Sequence, residues 1–334
     1  MLKIGIIGVG RMGTTHSRNI ESIPGTRVTG IYDLEQKQID TYLAAFPGRK
    51  VYSSAVELAS SPEVDFVLVT SPSYCHIEGI WAATSAGKPV FCEKPLCRTQ
   101  AQLDELTPLL RNYQKLFAVG FVRRYSPGVI RMKQMLDAGK IGRPLCFEVH
   151  VMLGAYKRMP GDWFADYSLC GGVTLDMLAH HADLLNYFVG EAQSVCANAL
   201  MLNPKNGLPA DYLSATVTCK NGVIGTIQGA WLRSGPSENG MIIYGDQGAL
   251  RLSDQTGITY FTPGNQEEIP LDDQSVVDLQ NLKGGMFGAE MAVLVDCVRK
   301  GEKPWAGVEE ALAAQQLCLA LMRSAERREI VYLP

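Results

Sequence analysis

Three short constellations in this chain could do chemistry. Gly8, Gly10 and Gly13, in Gly8-Val9-Gly10-Arg11-Met12-Gly13, directly follow a β-branched run from Lys3 to Gly8 and open a helix-like stretch from Met12 to Ile23. A glycine turn between a strand and a helix suits a dinucleotide. The first glycine allows a tight turn, the second a close approach of backbone to pyrophosphate, and the third close helix–strand packing. Arg11 and Met12 then sit in the first helical turn, whose N–H groups and dipole attract phosphate. Asp33 closes the second strand-like run, 20 residues past Gly13. A carboxylate there accepts from ribose hydroxyls and repels a 2′-phosphate, so NAD is expected over NADP. The plain alternative is a glycine turn with an unrelated surface aspartate.

The second constellation is Glu93-Lys94-Pro95, after the strand-like run Pro89 to Glu93. The proline biases Lys94 toward an extended backbone. A lysine beside a nicotinamide cation is disfavoured in its charged form, and it can hydrogen-bond or exchange a proton with a substrate hydroxyl. By itself, a lysine before a proline is an ordinary surface residue. Thr70-Ser71-Pro72, after the most apolar run of the chain, is expected to reach the nicotinamide half, because loops at the carboxyl ends of parallel strands line the ligand crevice.

The third runs from Gly171 to Asp183. On one continuous helix, Asp176, His180 and Asp183 stand at i, i+4 and i+7 on one face, beside an apolar stripe of Leu175, Leu178, Ala182 and Leu185. Imidazole titrates near neutrality, so His180 can take a hydroxyl proton while Asp176 orients its ring. A solvated Asp–His pair is the competing reading. His181 points away and is expected to be a packing or hydrogen-bonded residue. A metal is not expected, since no further His or Cys cluster accompanies the two carboxylates. Arg124 follows the last strand of the first half and could pin an oxygen bidentately or form a salt bridge. Tyr156 and Trp163 precede the helix and could wall a sugar face or anchor the loop.

The elements that must position these residues alternate strand and helix up to about residue 120. Lys3 to Gly8, Arg27 to Tyr32, Val51 to Tyr52, Val64 to Thr70, Pro89 to Glu93 and Phe117 to Gly120 read as strands, with helices between. That order implies parallel βαβ units. Beyond it come a helix (Pro127 to Ala138), a strand (Leu145 to Met152), a single helix (Gly172 to Val189), then closely spaced strands between Ser194 and Phe261. Lys220-Asn221-Gly222 marks a hairpin turn. Gly288 to Lys300 and Val308 to Arg327 read as closing helices. The class is α/β: a dinucleotide-binding domain at 1–122, then an α+β domain at 123–334 on a large, mostly antiparallel open sheet.

Composition narrows the class of function. With 31 Lys+Arg against 34 Asp+Glu, the chain lacks the basic excess of a nucleic-acid or anionic-membrane binder. No apolar run spans a bilayer. The nine cysteines are scattered without a Cys-x-x-Cys pair, which fits a reducing cytoplasm. The start of the chain carries no signal-peptide pattern.

Taken in order, these segments resemble the Gfo/Idh/MocA oxidoreductase family over nearly the whole chain. The likeness runs through Gly8-x-Gly10-x-x-Gly13, Thr70-Ser71-Pro72 with His76, and Glu93-Lys94-Pro95. It continues through Gly120-Phe121-x-Arg123-Arg124-Tyr125, Gly171-Gly172, and Asp176-x-x-x-His180-x-x-Asp183. The resemblance implies a Rossmann domain, NAD as cofactor, and an open sheet that forms an oligomer interface, often in a tetramer, with a dimer as the smaller alternative. It implies that His76 and Glu93 belong to the cofactor site with Lys94. It also implies that Lys94, Asp176 and His180 are catalytic, and that Arg124 and Asp183 contact substrate. The activity implied is oxidation of a secondary hydroxyl of a cyclic polyol or sugar, of inositol or pyranose type. Inositol-oxidising members carry a His-x-Asn where this chain has Met152-Leu153-Gly154, which leaves the ring's identity open. Two rivals are an NAD-retaining glycoside-cleaving enzyme working through transient oxidation and a dinucleotide-sensing regulator. A sensor has no use for a base.

Overall fold

The computed structural model describes residues 1–154, 162–200, 212–232, 237–271 and 283–334. Two compact units divide the chain, Met1–Tyr125 with Leu279–Leu312, and Ser126–Asp278 with Ala313–Pro334.

The first unit is built on strands β1 (Leu2–Ile7), β2 (Thr26–Tyr32), β3 (Lys50–Val51), β4 (Phe66–Val69), β5 (Val90–Cys92) and β6 (Phe117–Val119). They form one sheet in the order β3-β2-β1-β4-β5-β6, and every pair is parallel. Helices α1 (Arg11–Glu21), α2 (Gln36–Ala45), α3 (Ala55–Ser60), α4 (His76–Ser85) and α5 (Gln100–Arg111) make the crossovers. All four residues of β4 are buried, as a parallel strand covered on both faces requires. The strand order reverses between β1 and β4, the crevice where open α/β sheets take ligands.

The unit is discontinuous. A later helix, Gly285–Lys300, returns Met291 and Leu294 to the core of Ile4, Ile6, Phe66 and Phe91. A single cut at 122/123 therefore does not describe the packing. The returning helix supplies an apolar face that the sheet needs for cover, a debt that the local strand–helix pattern does not display.

In the second unit, α6 (Pro127–Asp137), β7 (Pro144–Gly154), α7 (Tyr167–Cys170), α8 (Gly172–Asp176) and α9 (Leu178–Phe188) precede a run of strands. These are β8 (Ala192–Leu200), β9 (Tyr212–Cys219), β10 (Ile224–Leu232), β11 (Glu238–Gly245), β12 (Ala249–Ser253), β13 (Gly257–Thr262) and β14 (Asn265–Ile269). Helices α10 (Gly285–Lys300) and α11 (Val308–Arg327) and strand β15 (Val331–Tyr332) end the chain. The sheet order is β14-β13-β12-β11-β7-β10-β9-β8-β15. Among the described residues, β7–β10 is the one parallel pair of this sheet and the other pairs are antiparallel. Lys220-Asn221-Gly222 makes the predicted turn between β9 and β10, with Gly222 at φ +85°.

The predicted helix from Gly172 to Val189 is two helices, interrupted at Met177. The apolar stripe of Leu175, Leu178, Ala182 and Leu185 is wholly buried. Gly229 of β10 gives it room: a side chain there would begin 2.7 Å from Leu178 Cδ2. Helix–sheet packing thus survives the interruption. No helix among the described residues is long and apolar enough to cross a membrane.

Candidate active site

In the first unit the glycine turn is locked to the loop after β4. Gly8 has φ +93°, and a Cβ on it would stand 2.3 Å from the Ser71 nitrogen. Thr70 Oγ1 donates to the Gly8 carbonyl at 2.5 Å. Gly13 packs so closely that a Cβ would meet the Gly8 oxygen at 2.2 Å. Gly10 is the opposite case, because a Cβ there would enter open space. Glycine at 10 is thus not demanded by the protein's own packing, and the space matches a ligand brought against the backbone. No side chain caps the N-terminus of α1, and its first turn holds no acidic residue, so the N–H groups at Arg11, Met12 and Gly13 face an anion without internal competition.

Asp33 accepts from the Val9 amide at 2.8 Å through Oδ2 and from the Glu35 amide at 2.9 Å through Oδ1. Each oxygen keeps a second lone pair for a hydroxyl. Ser71 Oγ is buried without a hydrogen-bond partner among the described residues. Together, the open space at Gly10, the uncapped helix and the orphan hydroxyl fit a dinucleotide. Thr70, by contrast, spends its hydroxyl inside the turn, and Pro72 leads into a short 3-10 turn, Ser73–Cys75.

His76 is 1% exposed. Its Nδ1 lies 2.7 Å from the Pro95 carbonyl and its Nε2 2.9 Å from that of Ser71. Burial holds the ring below its ordinary pKa, against the pull of both carbonyls and of Glu93. His76 therefore stands between two loops, with both ring nitrogens facing backbone carbonyls. Lys94 is half-buried, and the Lys94–Pro95 peptide is cis.

Glu93 is 6% exposed. Its Oε1 accepts from His16 Nε2 at 2.6 Å and its Oε2 from the Lys94 amide at 3.2 Å. Burial pushes this carboxyl up, but the His16 hydrogen bond and the charges of His16, Lys94 and His76 outweigh it and hold it below the ordinary value. Arg124 is buried and donates to the Trp305 carbonyl, beside a Tyr125–Trp305 stack at 4.8 Å. It anchors the turn after β6 to the returning segment, a use that the predicted substrate contact did not foresee.

In the second unit, Asp176 ends α8 and His180 lies in the first turn of α9, both half-buried. Asp183 is 1% exposed. The backbone stays helical through Met177 (φ −97°, ψ −48°), and along it Asp176 and His180 are partly exposed while Asp183 is buried. His181 is buried as expected, with Nε2 donating to Asn239 Oδ1 at 2.8 Å. Trp163 is half-buried and its ring packs against Phe164. Tyr156 lies outside the described residues.

Sequence reasoning missed two buried groups of the first unit. His16 stands three residues past Gly13, one helical turn on. Glu290 sits in an apolar stretch of α10 and is 1% exposed, with neither carboxyl oxygen hydrogen-bonded among the described residues. Burial, and then the charge of Glu93, push its pKa well up. The signal was present in each case: a polar residue at a spacing that points inward.

Known proteins agree with both halves. Residues 2–121 match the model described as the oxidoreductase family, NAD-binding Rossmann fold. Residues 129–251 match the GFO/IDH/MocA C-terminal domain. The myo-inositol 2-dehydrogenase of Thermotoga maritima is 27% identical over 337 residues, 99% of this chain and 98% of that protein. Inositol 2-dehydrogenase 2 of Saccharopolyspora erythraea is 35% identical over 193 residues, 57% of this chain and 54% of that protein. The structure of a levoglucosan dehydrogenase in complex with NADH and levoglucosan shares the fold, with a TM-score of 0.88 at 20% identity, covering 100% of this chain and 99% of that one. With the amino-terminal and carboxy-terminal models matching in order, the chain belongs to the Gfo/Idh/MocA family and is an NAD-binding oxidoreductase.

Proposed function

We propose that the protein oxidises a secondary hydroxyl of a cyclic polyol or sugar to a ketone. The observation that carries this reading is the end-to-end likeness to a myo-inositol 2-dehydrogenase, in a chain that keeps Lys94, Asp176 and His180. Bound NAD supplies the hydride acceptor. On the protein's side, His180 takes the hydroxyl proton and Asp176 orients the imidazole. Lys94 hydrogen-bonds the reacting oxygen and stabilises charge developing on it. Asp183 and Trp163 shape the sugar site in this proposal. Domain roles follow, with the first unit for NAD and the second for substrate and assembly.

A panel of inositols, pyranoses and anhydrosugars, each tested with NAD and with NADP, checks the reading through NADH absorbance. The expected result is net NADH accumulation with one ring class and a strong preference for NAD, because Asp33 repels a 2′-phosphate. Sugar cleavage without accumulated NADH points to transient oxidation instead. Equal use of NADP overturns the role given to Asp33.

The family resemblance also leads us to propose a homo-oligomer, a tetramer before a dimer. The sheet's second face carries Cys146, Glu148 and His150 of β7, all exposed. An antiparallel sheet tolerates water on one face, so burial alone does not force association. Light scattering at micromolar concentration is expected to give a multiple of 36.5 kDa, and a monomer overturns this proposal.

A further inference from the structure

Lys94 is held by its main chain as well as by its place at a strand end, and that hold traces back to the cofactor helix. The Lys94 amide donates to Glu93 Oε2 at 3.2 Å. The other oxygen of that carboxylate accepts from His16 Nε2 at 2.6 Å. His16 is wholly buried on α1, the helix whose N-terminus follows the glycine turn. Its ring stands edge-on to two phenylalanines, Phe91 at 5.1 Å and Phe287 at 5.9 Å. Its Nδ1 has no hydrogen-bond partner among the described residues, so the ring's polar contact is directed at Glu93. Gly120 completes the seat, since a Cβ there would press on Glu93 Oε2 at 3.1 Å.

The arrangement exceeds what packing needs. A buried carboxylate is costly and is retained only where hydrogen bonds compensate it. Here the compensation comes from two donors, one on the dinucleotide helix and one on the residue assigned to the reacting oxygen. We propose that His16 is a positioning residue for Lys94: it fixes the Glu93 carboxylate, which fixes the Lys94 main chain, and so ties the cofactor helix to the lysine that meets substrate. This rests on the role given to Lys94 above. A misplacement of about 1 Å at a reacting group can cost on the order of a hundredfold in rate.

Glutamine and methionine are near-isosteres, and only glutamine can donate to Glu93. The test therefore compares His16→Gln with His16→Met. Two readouts are used: kcat, KM and NAD affinity with the best ring substrate, and hydrogen exchange of the Lys94 amide in the protein without cofactor. H16Q is expected to keep kcat within about fivefold and Lys94 amide protection near wild type. H16M is expected to lose about a hundredfold in kcat, to keep NAD affinity within about threefold, and to exchange the Lys94 amide at least tenfold faster. Should H16M fail to fold, Glu93→Met serves in its place. It accepts from neither N–H group, so Lys94 amide protection and kcat are both expected to fall. Equal exchange and equal kcat in H16Q and H16M overturn the proposal. The parent reading fails separately, if Lys94→Ala leaves turnover intact while the two His16 variants still differ in exchange.

Discussion

His180→Ala is expected to cut turnover about a hundred- to ten-thousandfold, the usual worth of a positioned general base, while NAD affinity changes less than about threefold. The two quantities separate because the residues belong to different units. The glycine turn, Asp33 and the Ser71 loop lie in the first, and His180 lies in α9 of the second. Structural collateral is small. His180 is half-buried, it occupies the first turn of a helix, and alanine is the best helix former. The apolar stripe that docks α9 on β10 is untouched. Steady-state kinetics at saturating NAD and a fluorescence titration of NAD read the two halves independently. Near-normal turnover in the variant would transfer the proton to Lys94 or to water and sink the role given to His180.

The second large effect is on stability. Glu290→Gln should make the protein progressively more stable than wild type as pH rises above the ordinary carboxyl range. Glu290 is raised well above its ordinary pKa by burial and by the neighbouring charge of Glu93. Above the ordinary value, an unfolded chain releases this proton while the folded one retains it. Folding then takes up a proton, and the stability tied to Glu290 is full at acid pH and lost as pH rises toward the raised value. Each pH unit in that window shifts the folding equilibrium against wild type by about tenfold. Glutamine has nearly the same shape and no proton to bind, so its curve lacks this slope. Thermal melts of both proteins at several pH values give the difference directly. Parallel curves would show that Glu290 ionises freely and that its environment is not as described.

Much of the first unit was legible because parallel strands announce themselves. Phe66 to Val69 is unbroken apolar sequence, and Gly8-x-Gly10-x-x-Gly13 punctuates the first strand–helix junction. Asp33 was legible for the same reason, since its distance from the glycines is set by one βαβ unit. The boundary at Met177 was not, because the backbone there stays helical in φ and ψ and the apolar stripe continues across it. Nor was the near-complete burial of Asp183. His76 and Arg124 were placed in the site by type and position. What each does depends on backbone carbonyls of Ser71, Pro95 and Trp305, which no side-chain pattern encodes. His16 escaped because its partner is distant in the chain: 77 residues separate it from Glu93.

The return of Leu279–Leu312 to the first unit also bears on how the protein is made. The cofactor unit opens the chain, yet the helix that carries Met291 and Leu294 into its core emerges from the ribosome only after the whole run of sheet strands β7 to β14. At about 5–20 residues per second, synthesis leaves the β1–β6 sheet without that cover for many seconds. During that time its apolar face is open to chaperones or to another nascent chain. An amino-terminal fragment ending near residue 122 should accordingly be aggregation-prone, however complete its cofactor motif looks on paper.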